Sequence, residues 1–176
     1  QGDLRRAAGG LAMEFKYTNL LAGTATGDVS KWKIGKGWGG ASITSDAVDG
    51  YQCIIHKAPN GWQLMYQPLP SNLAGKLVTL SGYAKITSKS DNTESVVYSI
   101  NNSNEWIDTF TDISNSWTMI GGTLTLSNTP MLSILTEPRP EGGDGTEATV
   151  AYRELMLVEG TTPAAWAPAE GETLSG

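Results

Sequence analysis

The chain has 176 residues, enough for one domain whose core needs no metal or disulfide. Its net charge of −6 argues against nucleic acid, whose phosphates demand a basic patch, and against an anionic membrane surface. No apolar run is long enough to span a bilayer, no signal peptide is visible, and the lone Cys53 excludes an intrachain disulfide and favours folding in a reducing compartment.

Charged residues make up only 17% of the chain, while Gly, Ser, Thr and Asn are abundant, a balance that favours strands and turns over helices. Residues 1–15 read as a linker or stalk end, with a helical turn over Leu4 to Ala8 that Gly9-Gly10 interrupts. The domain is expected over 16–170, and 171–176 is a tail. Strand-like runs begin at Tyr17 to Leu21 and continue with Trp32 to Ile34, Ala41 to Thr44 and Tyr51 to Lys57. Ala58-Pro59-Asn60-Gly61 then turns the chain into Trp62.

From Trp62 to Thr87 the pattern is clearest. Trp62, Leu64 and Tyr66 alternate with Gln63, Met65 and Gln67, which predicts a strand with one bulky face and one mostly polar face. Pro68 and Pro70 end it, and Ser71-Asn72 with Gly75 supplies a turn into a second alternating run. There Val78, Leu80, Gly82, Ala84 and Ile86 take one face, opposite Leu77, Thr79, Ser81, Tyr83 and Lys85. Further strands are expected over Ser95 to Ile100, Trp117 to Leu126, Met131 to Thr136 and Thr149 to Val158. About ten short strands with no convincing helix predict an all-β sandwich of two antiparallel sheets.

Six tryptophans and six tyrosines are the main functional signal. Pyranose rings present flat C–H faces that stack on aromatic rings, and side-chain amides pair with sugar hydroxyls. The same aromatics also build sandwich cores, so position must sort them. Trp32 and Trp117 read as core, Trp166 as a packing plug, and Trp62, in phase with Leu64, as core. Trp38 in GKGWGG and Trp106 in NNSNEW lack apolar neighbours at strand spacing, and are the expected exposed platforms. Catalysis finds little support. His56 and Cys53 stand three apart in a strand and so face opposite ways. Neither G-x-S-x-G nor a phosphate-binding loop is present. Asp46/Asp49 and Glu141/Asp144/Glu147 read as solvated loop charges.

A strand with Trp62 and Gln63, then a loop, Gly75-Lys76, and a strand holding Ala84-Lys85 resembles carbohydrate-binding modules of the β-jelly-roll kind. Such modules are attached to xylanases and cellulases, and looser copies occur in bacteriophage tail and baseplate proteins. The closing run is similar too: Leu157-Val158-Glu159-Gly160 and then Trp166-Ala167-Pro168 match the phage-type ending, and Asn19-Leu20-Leu21 looks like the first strand. The resemblance covers Tyr17 to Pro168. It implies a jelly roll that binds sugar on the concave face of one sheet, with Gln63 and Gln67 facing the cleft, Asn102 and Trp106 beside it, and Ser133 completing the floor. Met65, Met131 and Leu135 stand where amides are often seen. No cofactor is expected; many such modules hold a structural Ca²⁺, for which Glu154 is the nearest match, with Arg153 in the adjacent slot. The function implied is non-catalytic recognition of host cell-wall polysaccharide in a phage virion, with other tail or baseplate proteins as partners and neither nucleic acid nor membrane. The alternatives are an assembly domain of the same particle, with an exposed apolar patch including Met65 and Met131, or an accessory module of a polysaccharide hydrolase.

Overall fold

The computed structural model describes residues 17–106, 109–140 and 145–172, together with a short backbone pairing of Arg5–Arg6 with Met13–Glu14. In chain order the strands are β1 (Arg5–Arg6), β2 (Met13–Glu14), β3 (Lys33–Gly37), β4 (Ser42–Val48), β5 (Tyr51–Pro59), β6 (Gln63–Pro68), β7 (Leu77–Lys89), β8 (Ser95–Asn101), β9 (Thr111–Ile113), β10 (Thr118–Thr125), β11 (Met131–Arg139) and β12 (Glu147–Glu159). Within the segment read as a linker, Arg5 and Arg6 are strand rather than the expected helical turn; its other residues, and 173–176 of the tail, lie outside the described residues.

Two five-stranded antiparallel sheets face one another. The first has the order β10-β7-β12-β5-β4, the second β3-β6-β11-β8-β9. β6 and β7 fall in different sheets, so the loop between them arches across the sandwich instead of closing a hairpin. Pro68 and Pro70 lack the N–H that a hairpin ladder would need there. The expected first strand is also absent. Asn19 makes a single parallel bridge with Ala169, and β9, at the edge of the second sheet beside β8, is an element the sequence pattern does not show.

The inward faces are built by period-two alternation. Val78, Leu80 and Ala84 of β7 and Val150, Tyr152, Leu155 and Leu157 of β12 meet Met65 of β6, Val96 and Tyr98 of β8 and Leu132 and Ile134 of β11. One polar chain ties the sheets together inside this core. His56 Nδ1 lies 2.8 Å from Thr136 Oγ1, which lies 2.7 Å from the Tyr152 hydroxyl. All three side chains are buried, and burial pushes the His56 imidazole down to about 4. The last strand carries a register shift between Arg153 and Met156, a bulge that inserts Glu154 with φ +53°.

Candidate functional site

The outer face of the second sheet follows from the same alternation. Gln63, Met65 and Gln67 share a side, and Met65 is in the core, so the amides point inward. Gln63 Nε2 donates to the Gly39 and Pro59 carbonyls at 2.9 and 2.6 Å. Gln67 accepts from the Ala22 N–H at 2.7 Å and donates to the Ala22 carbonyl at 3.1 Å. Both amides therefore tie loops to the strand, and neither faces the expected cleft. The physical reason is register: period two fixes which residues share a face, and a one-residue difference in assignment turns every side chain over. Trp62, expected as core, accordingly belongs to the outer side with Leu64 and Tyr66, and is only half-buried. Asn102 is likewise off this face. Its Nδ2 donates to the Thr125 carbonyl of β10, and its neighbour Asn101 takes the outward position opposite Ser133.

Across β6, β11 and β8 the outer face presents Tyr66, Ser133 and Asn101 in one cross-strand row, and Leu64, Leu135 and Ser99 in the next. Glu137 and Arg139 follow on β11. Ser133 is on the face the resemblance implied. It is, however, completely buried, as are Leu64, Leu135 and Glu137. Asn104, Glu105, Trp106 and Phe110 of the β8–β9 connection lie along this face. Asn104 Oδ1 accepts the Lys36 N–H of β3 at 2.7 Å, and Lys36 forms an ion pair with Glu105. Trp106 packs edge-on to Trp62 with ring centroids 5.2 Å apart, and tilted against Phe110 at the same distance. Trp106 is thus half-buried in an aromatic cluster, not a free-standing platform.

Beneath that cluster the polar groups are unusual for an interior. The Arg139 guanidinium lies 4.6 Å from the Phe110 centroid, and its Nε is 2.7 Å from the Glu137 carboxylate. Two cross-strand rows farther along the sheet, Ser133 Oγ and Asn101 Nδ2 are buried with no hydrogen-bond partner. Unsatisfied buried donors cost about 1–3 kcal/mol each, so their presence together on one face calls for an explanation. Trp38, at the rim, is 62% exposed, and its indole approaches the place where a Gly61 Cβ would stand to 3.1 Å. Of the expected site residues, Trp38, Trp106 and Ser133 are associated with this face, and Gln63, Gln67 and Asn102 are not. Trp62, Asn101 and Glu137 also lie on this face, which strand alternation alone does not show.

The closeness of the connection to the sheet is testable. A Cβ on Gly35 would stand 2.4 Å from Asn104 Oδ1 and 2.9 Å from Leu64 Cβ. Gly35→Ala is expected to lift Asn104 away and to accelerate hydrogen exchange at the Lys36 amide by about tenfold or more, in keeping with loss of one hydrogen bond of roughly 1.5 kcal/mol.

The first sheet's outer face differs. Arg153 Cζ lies over the rings of Tyr51, Tyr83 and Trp117 at 3.7, 4.4 and 4.7 Å. Trp117 is therefore half-buried on the outside rather than in the core, and donates its Nε1–H to Asp49 at 3.0 Å. The Lys85 ammonium bonded to Asp49 at 2.7 Å holds that carboxyl below the usual range. Trp32 is buried as expected. Cys53 and His56 lie on opposite sides of β5, and burial pushes the Cys53 thiol up to about 11. Neither is placed to serve the other as nucleophile and base. Glu147 pairs with Lys57 across 3.7 Å, whereas Glu141 and Asp144 lie outside the described residues. Around Glu154 the donors do not suit Ca²⁺, since the neighbouring charge is the Arg153 guanidinium at 3.4 Å. Among the described residues no group of three or more His, Cys, Asp or Glu could hold a metal ion, and no helix is long and apolar enough to cross a membrane.

No protein-family model matches this sequence. No curated protein matches it in sequence either. Solved structures do share its fold. The CBM22-1–CBM22-2 tandem of Paenibacillus barcinonensis Xyn10C superposes with a TM-score of 0.56 at 13% identity, covering 83% of this chain and 47% of the tandem. The CBM22-1 xylan-binding domain of the same enzyme gives 0.53 at 13% identity, over 80% of this chain and 92% of the domain. The CBM22-1–GH10 modules of Clostridium thermocellum xylanase 10B, complexed with xylohexaose, give 0.51 at 15% identity, over 85% of this chain and 30% of theirs. The fold is the jelly roll of carbohydrate-binding modules.

Proposed function

We propose that the chain is a non-catalytic carbohydrate-binding module that recognises saccharide through the outer face of the second sheet. The observation that carries this reading is the cluster of Trp62, Trp106 and Phe110 at the Glu137–Arg139 end of this face, with Trp38 exposed at its rim. Flat rings at the surface suit the C–H faces of pyranoses. The xylan-binding and xylohexaose-bound modules that share the fold support the ligand class. The finer reading is host recognition: a bacterial cell-wall polysaccharide as ligand, and a phage tail or baseplate as the setting. Its support is the phage-type ending Leu157-Val158-Glu159-Gly160 and Trp166-Ala167-Pro168. Weak single sites would then act through many copies on one particle.

The assembly reading loses part of its basis, because Met65 is completely buried and offers nothing to a partner.

A multimerised fluorescent fusion is expected to label intact Gram-positive cells saturably, and Trp62→Ala is expected to weaken labelling about tenfold, the loss of one stacked ring at roughly 1.4 kcal/mol. Absence of labelling on cells and on their purified wall polysaccharides would remove the host-recognition reading.

A further inference from the structure

We propose that the outer face of the first sheet carries a second saccharide-binding groove, centred on Glu154. Two depressions of about 410 and 320 Å³ flank this residue, and both are lined by Glu154 and Trp166. On one side the walls are Tyr83 and Met119; on the other they are Tyr51 and Gln52. Each volume falls at the small end of the range for ligand sites.

Glu154 is held there at a cost. It has φ +53°, a left-handed conformation that a residue with a Cβ adopts only when its surroundings impose it. The bulge between Arg153 and Met156 imposes it, inserting one residue that breaks the alternation of β12. Arg153, locked among three aromatic rings, sets its guanidinium 3.4 Å from the Glu154 carboxylate and orients it. Glu154 keeps more than a third of its side chain in solvent, between the two depressions. Trp166 is fixed as well, its Nε1 donating to Thr24 Oγ1 at 3.0 Å. A strained, oriented carboxylate flanked by immobilised rings is arranged for something other than stability.

The chemistry selects the ligand. Arg153 and Glu154 neutralise each other, so neither an anion nor a cation is favoured by them. An indole and a phenol ring at Trp166 and Tyr83 suit the flat face of a neutral sugar, with the exposed thioether of Met119 beside them. The carboxylate accepts hydroxyl hydrogens. The groove lies on the opposite side of the sandwich from the Trp62–Trp106 face. It rests on the carbohydrate reading only for the class of ligand.

The test is a titration of the ¹⁵N-labelled chain with xylohexaose and, separately, with a chitohexaose, following the indole N–H signals. Saturable shifts at Trp166 that persist in Trp62→Ala are expected with at least one sugar. Glu154→Gly is expected to weaken that binding about tenfold, the loss of a charged hydrogen-bond acceptor, while raising the thermal midpoint by roughly 2–4 °C through relief of the left-handed strain. A Trp166 signal unmoved by both sugars, or an affinity unchanged in Glu154→Gly, overturns the second groove. Movement of Trp62 and Trp106 alone keeps the first site and removes the second; movement of Trp166 alone keeps the second and removes the first.

Discussion

Asn19→Ala is expected to cost about 3–5 kcal/mol, measured as the shift in urea midpoint at constant slope. The buried Asn19 side chain makes four hydrogen bonds. Its Oδ1 accepts from the Leu21 and Leu157 N–H groups, both at 3.0 Å, and its Nδ2 donates to the Leu155 carbonyl at 2.7 Å and to Thr24 Oγ1 at 3.1 Å. Truncation leaves these partners buried and unpaired, which costs more than the bonds themselves contribute. No strand ladder secures this segment, so the side chain does what a ladder would otherwise do. Thr24 also holds Trp166, so loosening of that indole is expected to accompany the loss. A loss under 1 kcal/mol would mean that residues 19–24 are not anchored as described.

Acidification between pH 6.5 and 4 is expected to destabilise the fold by about 3 kcal/mol through His56 alone. The folded imidazole titrates near 4, against 6.5 when exposed, because burial opposes its charge. Above 6.5 both states are neutral and the stabilisation is complete. As the pH falls from 6.5 towards 4, the unfolded chain binds a proton that the folded chain refuses, and stability declines; below 4 the loss levels off. His56→Gln should remove this slope, and its persistence would assign the effect to other groups. Thr136→Val tests the same chain of hydrogen bonds at neutral pH. It leaves both His56 Nδ1 and the Tyr152 hydroxyl buried without their partner, and a loss of about 2–4 kcal/mol is expected.

Much of the architecture is legible in alternation and turn residues. The runs at Tyr51, Trp62, Leu77, Ser95 and Met131 are strands, with ends displaced by one to three residues. Orientation is not legible. In β6 the bulkier set, Trp62, Leu64 and Tyr66, points away from the core, and Gln63 and Gln67 point into it. An inward amide becomes tolerable only when it finds backbone partners, and those come from Ala22, Gly39 and Pro59, distant in sequence or in turns. An outward Leu64 becomes tolerable only when another segment lies along its face, and the β8–β9 connection does so. Both compensations are long-range, so a strand read by itself carries neither. The site inherits the same inversion. Of the residues the sequence suggests, Trp38, Trp106 and Ser133 lie along this face, whereas Gln63, Gln67 and Asn102 do not, and Trp62, read as core, lies on it. Glu154 is a separate case: its bulge follows from a register shift against β7, which no local pattern records.

The central claim is that saccharide binds at the Trp62–Trp106 face. Affinity electrophoresis of the intact chain in gels containing soluble xylan or solubilised cell-wall polysaccharide tests it most directly, with Trp62→Ala run alongside and its folding checked by circular dichroism. Retardation of the wild type by at least one polysaccharide, largely lost in the Trp62→Ala variant, is the result expected. Equal mobility of both proteins in every gel, or equal retardation of both, would contradict it.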